Sequence, residues 1–550
     1  MRITRSSGKF MLVAAVWWLY PTVMVVYAAD TGATSTGRPP ERPNIVLILA
    51  DDLGFSDIGC YGGEIATPNL DRLATGGLRM TDMYNTARCW PTRACLMTGY
   101  YAQQVNRDPA GQRPPWAALL PDLLRPAGYR SYHSGKWHVD GKVLEGGFDR
   151  SYWFEDDNRY FTPSVHFLDD RKLPPVRPGD GFYATTAIAE HAVDFLTEHA
   201  EKHAERPFFL YLAFIAPHFP LHAPAEDIAR YRDRYLEGWD AVRRKRWQRL
   251  KEMGIVDCDL SSPDPKLTPR YLKPDLVDMV GPGEVTHAVA WDGLTPEQKR
   301  FQATKMAIHA AMVDRMDQEI GRVLEQVRRM GAWENTLIVF LSDNGADATL
   351  MVRGDGHDRS AAPGSAASFL CLGPGWAGAS NAPFRRHKIW VHEGGIATPC
   401  IIHWPAVIRS GGALRHAPAH AIDFVPTVLE LAGVTNPERW DGLSRPPLPG
   451  KSLVPLMRND AGIPREYLWW KHEGNSALRV GDWKLVSESE TGGAWELYDL
   501  KSDRGESRDL AGQLPGKVKE MSSLWNRLEE EFRRQSCPAA SAKPATSRAP

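Results

Sequence analysis

A cysteine stands where a helix is expected to begin in the segment ARCWPTRACLMTG, residues 87–99. Pro91 favours a first helical turn, which places Cys89 at the helix N-terminus. Arg93 follows four residues later and therefore lies one turn away on the same face. A nucleophile beside a guanidinium in this position suits an oxyanion substrate, although most free cysteines are only buried structural residues. Cys89 is therefore a candidate nucleophile that needs support from other groups.

Acidic side chains directly follow two apolar segments, NIVLILA and TLIVFLS. A single acidic turn of this kind is usually only structural. Its recurrence favours a shared site, and an all-oxygen set of ligands suits a hard cation such as Ca²⁺ or Mg²⁺ rather than zinc. A turn at Gly54 or Gly345 is expected to bring the side chains together. The four side chains are Asp51, Asp52, Asp343 and Asn344.

Three further segments carry basic or acid–base groups. On an extended backbone, GKWH projects Lys136 and His138 to the same side, so both could face one ligand. His218 and His222 have the spacing of a helical metal pair, but the prolines around them prevent a regular helix and weaken a zinc-protease interpretation. Lys388 lies among aromatic residues and, taken alone, is most simply a lysine whose stem packs on them. Each of these groups is ambiguous by itself.

The elements that must position these groups are buried strands. Continuous apolar runs at 44–50, 207–216 and 336–342 are typical of strands buried on both faces of a parallel sheet. An amphipathic pattern predicts a helix from about 305 to 330. Alternating strands and helices predict an α/β sandwich, in which ligands bind beyond the carboxyl ends of the strands. We therefore expect one site at that edge of the sheet.

The pattern changes near residue 450. The segments ALRVGDWKLVSES and AWELYDLKSD are typical of antiparallel strands joined by a turn, and a closing helix is expected around 514–532. This predicts a smaller antiparallel α+β subdomain after the main α/β fold. The predicted parts are a signal peptide (1–28), a linker (29–42), a catalytic domain (43–450), a C-terminal subdomain (451–535) and a disordered tail (536–550).

Composition limits the partners. The 550 residues carry a net charge of −1, which gives no global attraction to nucleic acid. The basic run at 242–249 is most simply interpreted as a solvated helix face, and attraction of an anionic substrate is the alternative. Seven cysteines without CxxC pairs indicate neither a disulfide framework nor a structural zinc site. Basic residues before the proline-interrupted apolar run at 10–26 are typical of an export signal, and an uncleaved single membrane anchor is the alternative interpretation. We expect a periplasmic or secreted protein without stable membrane insertion after cleavage.

The motifs in their order resemble the type I, formylglycine-dependent sulfatases of the alkaline phosphatase superfamily, in particular bacterial arylsulfatases. The segment CWPTRACLMTG is similar to the family signature C-x-P-S/A/T-R-x-x-x-x-T-G. The likeness covers about Asn44 to Phe532 and implies a large mixed, mostly parallel sheet between helices with a smaller C-terminal subdomain. Further similar segments are ADDLGFSDIGCYGG, GKWH, APHFPLHAP, FLSDNGAD, HKIWVHEGGIATP and GDWKLV…WELYDLKSD.

This resemblance implies that a formylglycine-generating enzyme oxidises Cys89 to formylglycine after translation. Its hydrated form supplies one oxygen that attacks the ester sulfur and a second that expels sulfate. Thr92 stands where the family most often has serine, and the bulky Trp90 follows the cysteine. The resemblance also implies Ca²⁺, in preference to Mg²⁺. The implied ligands are Asp51, Asp52, Asp343, Asn344 and the diol oxygen at position 89.

The remaining roles also follow from the resemblance. Arg93, Lys136 and Lys388 would neutralise the sulfate oxygens. Asp343 would activate the nucleophile, His138 would accept the diol proton, and His218 with Lys388 would protonate the leaving oxygen. The implied catalytic residues are Cys89, Arg93, Lys136, His138, His218, Asp343 and Lys388.

The expected reaction is hydrolysis of a sulfate monoester to an alcohol and inorganic sulfate. An aryl sulfate is the first expectation, and a sulfated sugar or polysaccharide is the main alternative. A phosphonate monoester hydrolase is a second enzyme class, since the superfamily shares its strand-end acids between phosphoryl and sulfuryl transfer. A binder of sulfated glycans that keeps Cys89 unconverted is a third hypothesis, and it predicts ligand retention without turnover.

Overall fold

The computed structural model describes residues 42–156 and 158–537. The predicted signal peptide, nearly all of the predicted linker and nearly all of the tail lie outside the described residues. Within the described residues, no helix is both long and apolar enough to cross a membrane.

Eighteen strands occur in the described residues. They are β1 Asn44–Ala50, β2 Leu78–Met80, β3 Met83–Tyr84, β4 Arg130–Gly135, β5 Arg150–Phe154, β6 His166–Leu168, β7 Arg171–Lys172, β8 Phe208–Ala213, β9 Thr336–Ser342, β10 Cys400–His403, β11 Ala413–Arg415, β12 Ala419–His420, β13 Arg439–Trp440, β14 Leu443–Ser444, β15 Leu468–His472, β16 Asn475–Val480, β17 Trp483–Ser487 and β18 Trp495–Asp499.

Thirteen α-helices occur in the same part of the chain. They are α1 Pro68–Gly76, α2 Cys89–Thr98, α3 Leu120–Leu124, α4 Ala184–Lys202, α5 Ala225–Tyr231, α6 Trp239–Glu252, α7 Leu276–Val280, α8 Pro296–Arg329, α9 Pro374–Ser380, α10 Glu393–Ile396, α11 Phe424–Ala432, α12 Val454–Arg458 and α13 Pro515–Ser536.

Ten strands form one large sheet in the order β11-β2-β10-β9-β1-β8-β4-β5-β6-β7. Its centre is parallel, because β9, β1, β8, β4 and β5 pair in one direction, whereas β10 runs antiparallel to β9. The register places Ala50 opposite Ser342 and Gly135 opposite Ala213. The residues that follow β1, β9, β4 and β8 therefore emerge together. The mixed, mostly parallel sheet is confirmed.

Strand β1 shows why the centre of the sheet is stable. Val46 and Ile48 pack in one hydrophobic core, and Ile45 and Leu47 pack in another on the opposite face. Both faces are covered by helices, including α4 and α8 on one side and α3 and α11 on the other. A strand buried on both faces reads as a continuous apolar run, which is why β1 and β9 begin and end where predicted.

The long helix α8 begins earlier than its amphipathic pattern indicated. It starts at Pro296 instead of about residue 305. Thr295 accepts a hydrogen bond from the backbone of Gln298, and the Gln298 side chain bonds back to the backbone of Thr295. This capping box, followed by proline at the first helical position, fixes the helix start.

A second sheet lies near the C-terminus, in the antiparallel order β15-β16-β17-β18, and helix α13 packs on it. Trp525 of the helix donates from Nε1 to the carbonyl oxygen of Trp470 at 3.0 Å. Trp470 in turn donates to the carbonyl oxygen of Asn85 at 2.8 Å, just before helix α2. The expected small antiparallel α+β unit is confirmed, while its boundary at residue 451 remains a prediction.

The interpretation of the basic run in α6 as a solvated face was wrong for two of its arginines. Arg246 is completely buried and contacts Asp57 at 2.6 Å and Glu64 at 2.7 Å. Arg243 is also buried and donates to the Ser261 carbonyl oxygen at 2.6 Å. Buried carboxylates pair with Arg246, whereas backbone carbonyl oxygens elsewhere in the chain accept hydrogen bonds from Arg243, so the helix turns both arginines inward.

Candidate active site

The ten residues predicted to act together lie at the carboxyl edge of the large sheet or beside it. Asp51 and Asp343 emerge next to each other, because the Asp343 backbone N–H donates to the carbonyl oxygen of Ala50 at 3.1 Å. Lys136 follows β4, and His218 lies in the loop after β8. Cys89 and Lys388 line a cavity of about 220 Å³ together with Lys136, His138 and His218.

Cys89 is the first residue of α2 and is buried. Thr92, in the first turn of the helix, donates from Oγ1 to the carbonyl oxygen of Asp343 at 2.7 Å. Its Oγ1 also accepts a hydrogen bond from the backbone of Thr86 at 3.0 Å. The threonine found in place of serine therefore anchors the start of the nucleophile helix to the loop that follows β9.

The turn that brings the acidic residues together was expected at Gly54 or Gly345, but the structure places it at Asp52. Asp52 itself adopts a left-handed conformation with φ of 68°, so the turn does not depend on left-handed geometry at Gly54 or Gly345. Those glycines allow close backbone approach instead. A Cβ at Gly54 would lie 2.4 Å from the Ser380 carbonyl oxygen. Aspartate tolerates left-handed geometry better than most residues, and such strain concentrates at functional sites.

Lysine side chains cover the acidic cluster, which we define as Asp51, Asp52, Asp343 and Asn344. Lys136 Nζ lies 2.7 Å from Asp51 Oδ2. Lys388 Nζ lies 2.6 Å from Asp52 Oδ1 and 3.1 Å from Asp347 Oδ2. Both ammonium groups are therefore held at fixed positions in the wall of the cavity.

Arg93 was expected to contact the sulfate, and in this structure it contacts the acidic cluster. Its Nε and Nη2 atoms lie 3.0 and 2.7 Å from Asp343 Oδ2, and Nη2 is 3.4 Å from Asp51 Oδ2. Its Nη1 donates to the carbonyl oxygen of Lys136 at 2.8 Å. The guanidinium is fully buried and links α2, β1, β4 and β9. Its expected role toward sulfate remains a prediction.

Burial and neighbouring charges shift the pKa values of the groups in and around the acidic cluster. Burial would raise the pKa of Asp51, but the charges of Lys136 and His218 outweigh it and hold that pKa well below its usual range. Burial and the Asp51 charge raise the pKa of Asp343 well above its usual range. Burial lowers the pKa of His218. Burial would lower the pKa of Lys388, but Asp347 and Asp52 outweigh it and raise that pKa, so Lys388 carries a proton.

Several oxygens in the cluster lack a donor. Asp51 Oδ1, Asp52 Oδ2 and Asn344 Oδ1 are buried and have no hydrogen-bond partner in the part of the chain that the structure describes. Buried acceptors are normally satisfied, so these oxygens fit a hard cation that accepts oxygen ligands. Asp51, Asp52 and His218 also offer ligand atoms within 4.8 Å of one another. The donor set thus fits a divalent metal ion, with more oxygen than nitrogen ligands.

The GKWH segment reaches the expected arrangement by another route. Strand β4 ends at Gly135, and His138 has a left-handed φ of 51°, so the backbone is not extended through the motif. Lys136 and His138 nevertheless line the same cavity, while Trp137 is buried in the hydrophobic core. The loop after β4 therefore directs Lys136 and His138 to the cavity and Trp137 to the core, as an extended strand was expected to do.

His222 does not join the site. Its Nε2 lies 2.6 Å from the carbonyl oxygen of Ser368, and it lines a separate cavity. His218 instead lies with its Nε2 3.7 Å from Asp52 Oδ2, and its Nδ1 donates to the carbonyl oxygen of Phe219 at 2.5 Å. The two histidines thus diverge, which agrees with the expectation that the prolines around them prevent a regular helix.

Two residues beside the nucleophile were missed in the sequence. Asp347 ion-pairs with Lys388 and lines the cavity, and its presence in the FLSDNGAD segment could have suggested a role. Arg88 also lines the cavity and directly precedes Cys89 in the chain. Its position next to Cys89 could have suggested a role for Arg88 from the sequence. The direction of its side chain could not be predicted.

Comparisons with known proteins agree with this geometry. A family model described as Sulfatase matches residues 43–434, and one described as N-sulphoglucosamine sulphohydrolase, C-terminal, matches residues 385–535. An uncharacterized sulfatase of Schizosaccharomyces pombe is 33% identical, covering 89% of this chain and 94% of its own. An arylsulfatase of Klebsiella aerogenes is 32% identical, covering 72% and 87%. An N-acetylglucosamine-6-O-sulfatase of Bacteroides thetaiotaomicron is 26% identical, covering 93% and 91%.

Solved structures share the fold. Ps i-CgsB, crystallised in complex with k-i-k-neocarrahexaose, has a TM-score of 0.63 at 24% identity and covers 90% of this chain and 94% of that one. A protein in complex with its substrate D-glucosamine-2-N,6-O-disulfate has a TM-score of 0.62 at 22% identity, covering 90% and 98%. The family model spans well over half of the chain, and two relatives exceed 30% identity. This protein therefore belongs to the sulfatase family and is a sulfuric ester hydrolase.

Proposed function

We propose that the protein hydrolyses sulfate monoesters, with aryl sulfates as the first substrate class, through formylglycine at position 89 and a bound Ca²⁺. The observation that carries the proposal is the placement of Cys89 in one cavity with two anchored lysines beside buried carboxylate oxygens that lack donors. Formylglycine, once hydrated, supplies an oxygen nucleophile and a second hydroxyl through which sulfate can leave. Ca²⁺ supplies positive charge where negative charge develops.

Asp51, Asp52 and Asn344 would hold the cation through their unpartnered oxygens, and Asp343 would complete the ligand set while facing Arg93. The residue at position 89 starts helix α2, whose N-terminal end favours a negatively charged group. Arg93 keeps Asp343 in place by a two-atom contact, which positions this carboxylate to take a proton from the nucleophile.

Lys136 and Lys388 would hold the sulfate oxygens. Each is anchored by a carboxylate on its inner side, so neither must reorganise as charge develops in the transition state. Lys388, which lines the cavity with His218, would protonate the leaving oxygen together with that histidine. His138, on the same wall, can take the proton whose loss releases sulfate.

An aryl leaving group fits the aromatic side chains of the cavity, which are Trp90, Phe219 and Tyr271. The 32% identity to an arylsulfatase supports the same class. A sulfated sugar is the second candidate. It is supported by the match of residues 385–535 to the C-terminal model and by the relative named N-acetylglucosamine-6-O-sulfatase. Export to the periplasm or medium is part of the proposal and rests on the N-terminal sequence pattern.

The proposal is tested by comparing hydrolysis of a nitrophenyl sulfate with that of a phenyl phosphonate monoester. The protein is produced together with a formylglycine-generating enzyme and supplied with Ca²⁺, and mass spectrometry of the peptide 89–99 records conversion of Cys89. We expect faster sulfate release by the converted protein. Faster phosphonate cleavage would establish the phosphonate hydrolase instead. Converted protein that binds sulfated glycans without releasing sulfate would contradict the proposed reaction.

A further inference from the structure

Arg88, the residue before Cys89, is a cation without an ion pair among the described residues. Its Nε and Nη1 atoms are buried and have no hydrogen-bond partner. The guanidinium carbon lies 4.9 Å from the ring centroid of Trp90 and 5.3 Å from that of Tyr271. An arginine guanidinium stays charged in proteins, and a buried charge without a partner is costly.

Trp90, on the other side of Cys89 in the chain, presents a third unsatisfied donor. Its Nε1 atom is buried without a hydrogen-bond partner. Arg88 and Trp90 line the same cavity of about 220 Å³ as Cys89. Three buried N–H groups beside one nucleophile point to an acceptor that the chain itself does not supply.

This acceptor is distinct from the sulfate that is transferred. Lys136 and Lys388 are anchored on Asp51 and Asp52, so the transferred group belongs on the side of the acidic cluster. Arg88 instead packs against Tyr271, whose hydroxyl donates to Glu473 in the turn between β15 and β16 at 2.8 Å. A sulfate monoester carries one negative charge, which the two lysines and a bound cation already oppose.

We propose that Arg88 and the Trp90 indole N–H bind a second anionic group, a carboxylate or a sulfate, on the alcohol half of the substrate. The inference rests on the proposed sulfatase function and narrows its substrate class. Charge-assisted hydrogen bonds in a buried site contribute enough to make this second anion a determinant of specificity. The preferred substrate is accordingly at least a dianion.

The experiment measures equilibrium binding by calorimetry in the Cys89→Ala background, where turnover cannot intervene. The first pair of probes is 3-carboxyphenyl sulfate and 3-carbamoylphenyl sulfate, which differ in one charge at similar size. The second pair is glucosamine-2-N,6-O-disulfate and N-acetylglucosamine-6-sulfate. We expect the more charged member of at least one pair to bind about 10-fold more tightly. Adding Arg88→Gln should bring this ratio close to one without changing affinity for the less charged member.

Two further variants test whether the affinity ratio depends on the Trp90 N–H and on Arg88 in particular. Trp90→Phe keeps the aromatic ring but removes the N–H, and it should lower the ratio by about 3-fold. Arg353→Gln, which removes a solvent-exposed cation at the same cavity, should leave the ratio unchanged. Equal weakening of both members by Arg88→Gln would place Arg88 on the transferred sulfate and overturn the proposal, as would the absence of any preference in both pairs. Sulfate release from the same esters by converted wild-type protein tests the proposed function separately.

Discussion

The molecule contains two groups of buried charges that differ in how their oxygens are satisfied. The acidic cluster beside Cys89 contains three oxygens without a donor. The second group, which we call the support cluster, consists of Glu393, Lys484, Arg504 and Glu506, and it joins α10 to the C-terminal sheet. Each carboxylate oxygen of the support cluster has a donor within 3.0 Å.

The contrast shows how a buried charge can be assigned to folding or to function. Lys484 Nζ lies 2.8 Å from both Glu393 and Glu506, and Arg504 lies 3.0 Å from Glu393. The chain thus places a cation or a hydrogen-bond donor beside each carboxylate of the support cluster, although Arg504 Nη2 has no hydrogen-bond partner among the described residues. In the acidic cluster, Asp51 and Asp52 each keep an oxygen without a hydrogen-bond partner among the described residues, which fits the proposed cation. Equal burial therefore has opposite meanings in the two clusters.

The largest expected effect is on the reacting residue. Cys89→Ala should lower kcat/KM by at least about 10⁴-fold, because no nucleophile remains to be formed. The unfolding midpoint should be nearly unchanged, since no partner in the support cluster is lost. The matched control is Cys95→Ala, six residues on in the same helix, where the thiol is buried in the core and does not line the cavity. It should keep the activity, and an active Cys89→Ala protein would refute the mechanism.

A substitution in the support cluster should lower stability and leave activity unchanged, the reverse of Cys89→Ala. Lys484→Met leaves Glu393 and Glu506 without their shared cation, which should cost about 3–5 kcal/mol in the free energy of unfolding. Activity per folded molecule should be retained. Urea unfolding followed by fluorescence measures the change, and Lys501→Met, on the exposed surface, is the control with an expected effect below about 0.5 kcal/mol. An equal loss of unfolding free energy in Lys484→Met and Lys501→Met would show that the support cluster does not stabilise the fold.

A smaller effect is expected from the pH dependence of Glu506. Burial raises the pKa of Glu506 to about 7, with Lys484 opposing and Glu393 adding to the rise. The folded protein therefore holds a proton that the unfolded chain releases above its usual pKa of 4.5. The free energy of unfolding should fall as pH rises from about 4.5 to about 7, by up to about 3 kcal/mol.

Glu506→Gln removes the titrating carboxyl group, so the free energy of unfolding of this variant should change less with pH. The comparison is the urea midpoint at several pH values for wild type, Glu506→Gln and the exposed control Glu530→Gln. Parallel profiles for all three proteins would show that Glu506 titrates normally. The Gln side chain can still accept from the Glu393 backbone N–H, which the Glu506 carboxylate does at 2.8 Å, so the variant isolates the charge.

Much of the fold could be predicted because its central strands are buried on both faces. That burial makes β1 and β9 continuous apolar runs, and the acidic residues after them mark the site. The start of α8 was missed because its first turns lack the apolar stripe, although its capping box was present in the sequence. Local signals thus located elements well where packing and sequence pattern coincide.

The remaining features depend on contacts between distant parts of the chain. The burial of Arg246 is explained only by Asp57 and Glu64, which precede it by more than 180 residues. Likewise, two features depend on side-chain directions that no local pattern encodes: the contact of Arg93 with Asp343, and the lack of a hydrogen-bond partner for Arg88 Nε and Nη1 among the described residues. The sequence indicated which residues assemble, and the structure shows which of their atoms remain free.

Cation binding by the acidic cluster is central to the proposed function, and it can be measured without turnover. Ca²⁺ is titrated into wild type, Asp51→Asn and Asp347→Asn, with heat of binding and unfolding midpoint recorded. Asp347 is the matched control, because its carboxylate is already occupied by Lys388 and by the backbone N–H of Thr349. We predict saturable binding and a midpoint raised by about 2 °C at 100-fold excess over the Kd in wild type and Asp347→Asn, and neither in Asp51→Asn. Wild type that shows no heat and no shift would contradict the assignment of the free oxygens to a metal site.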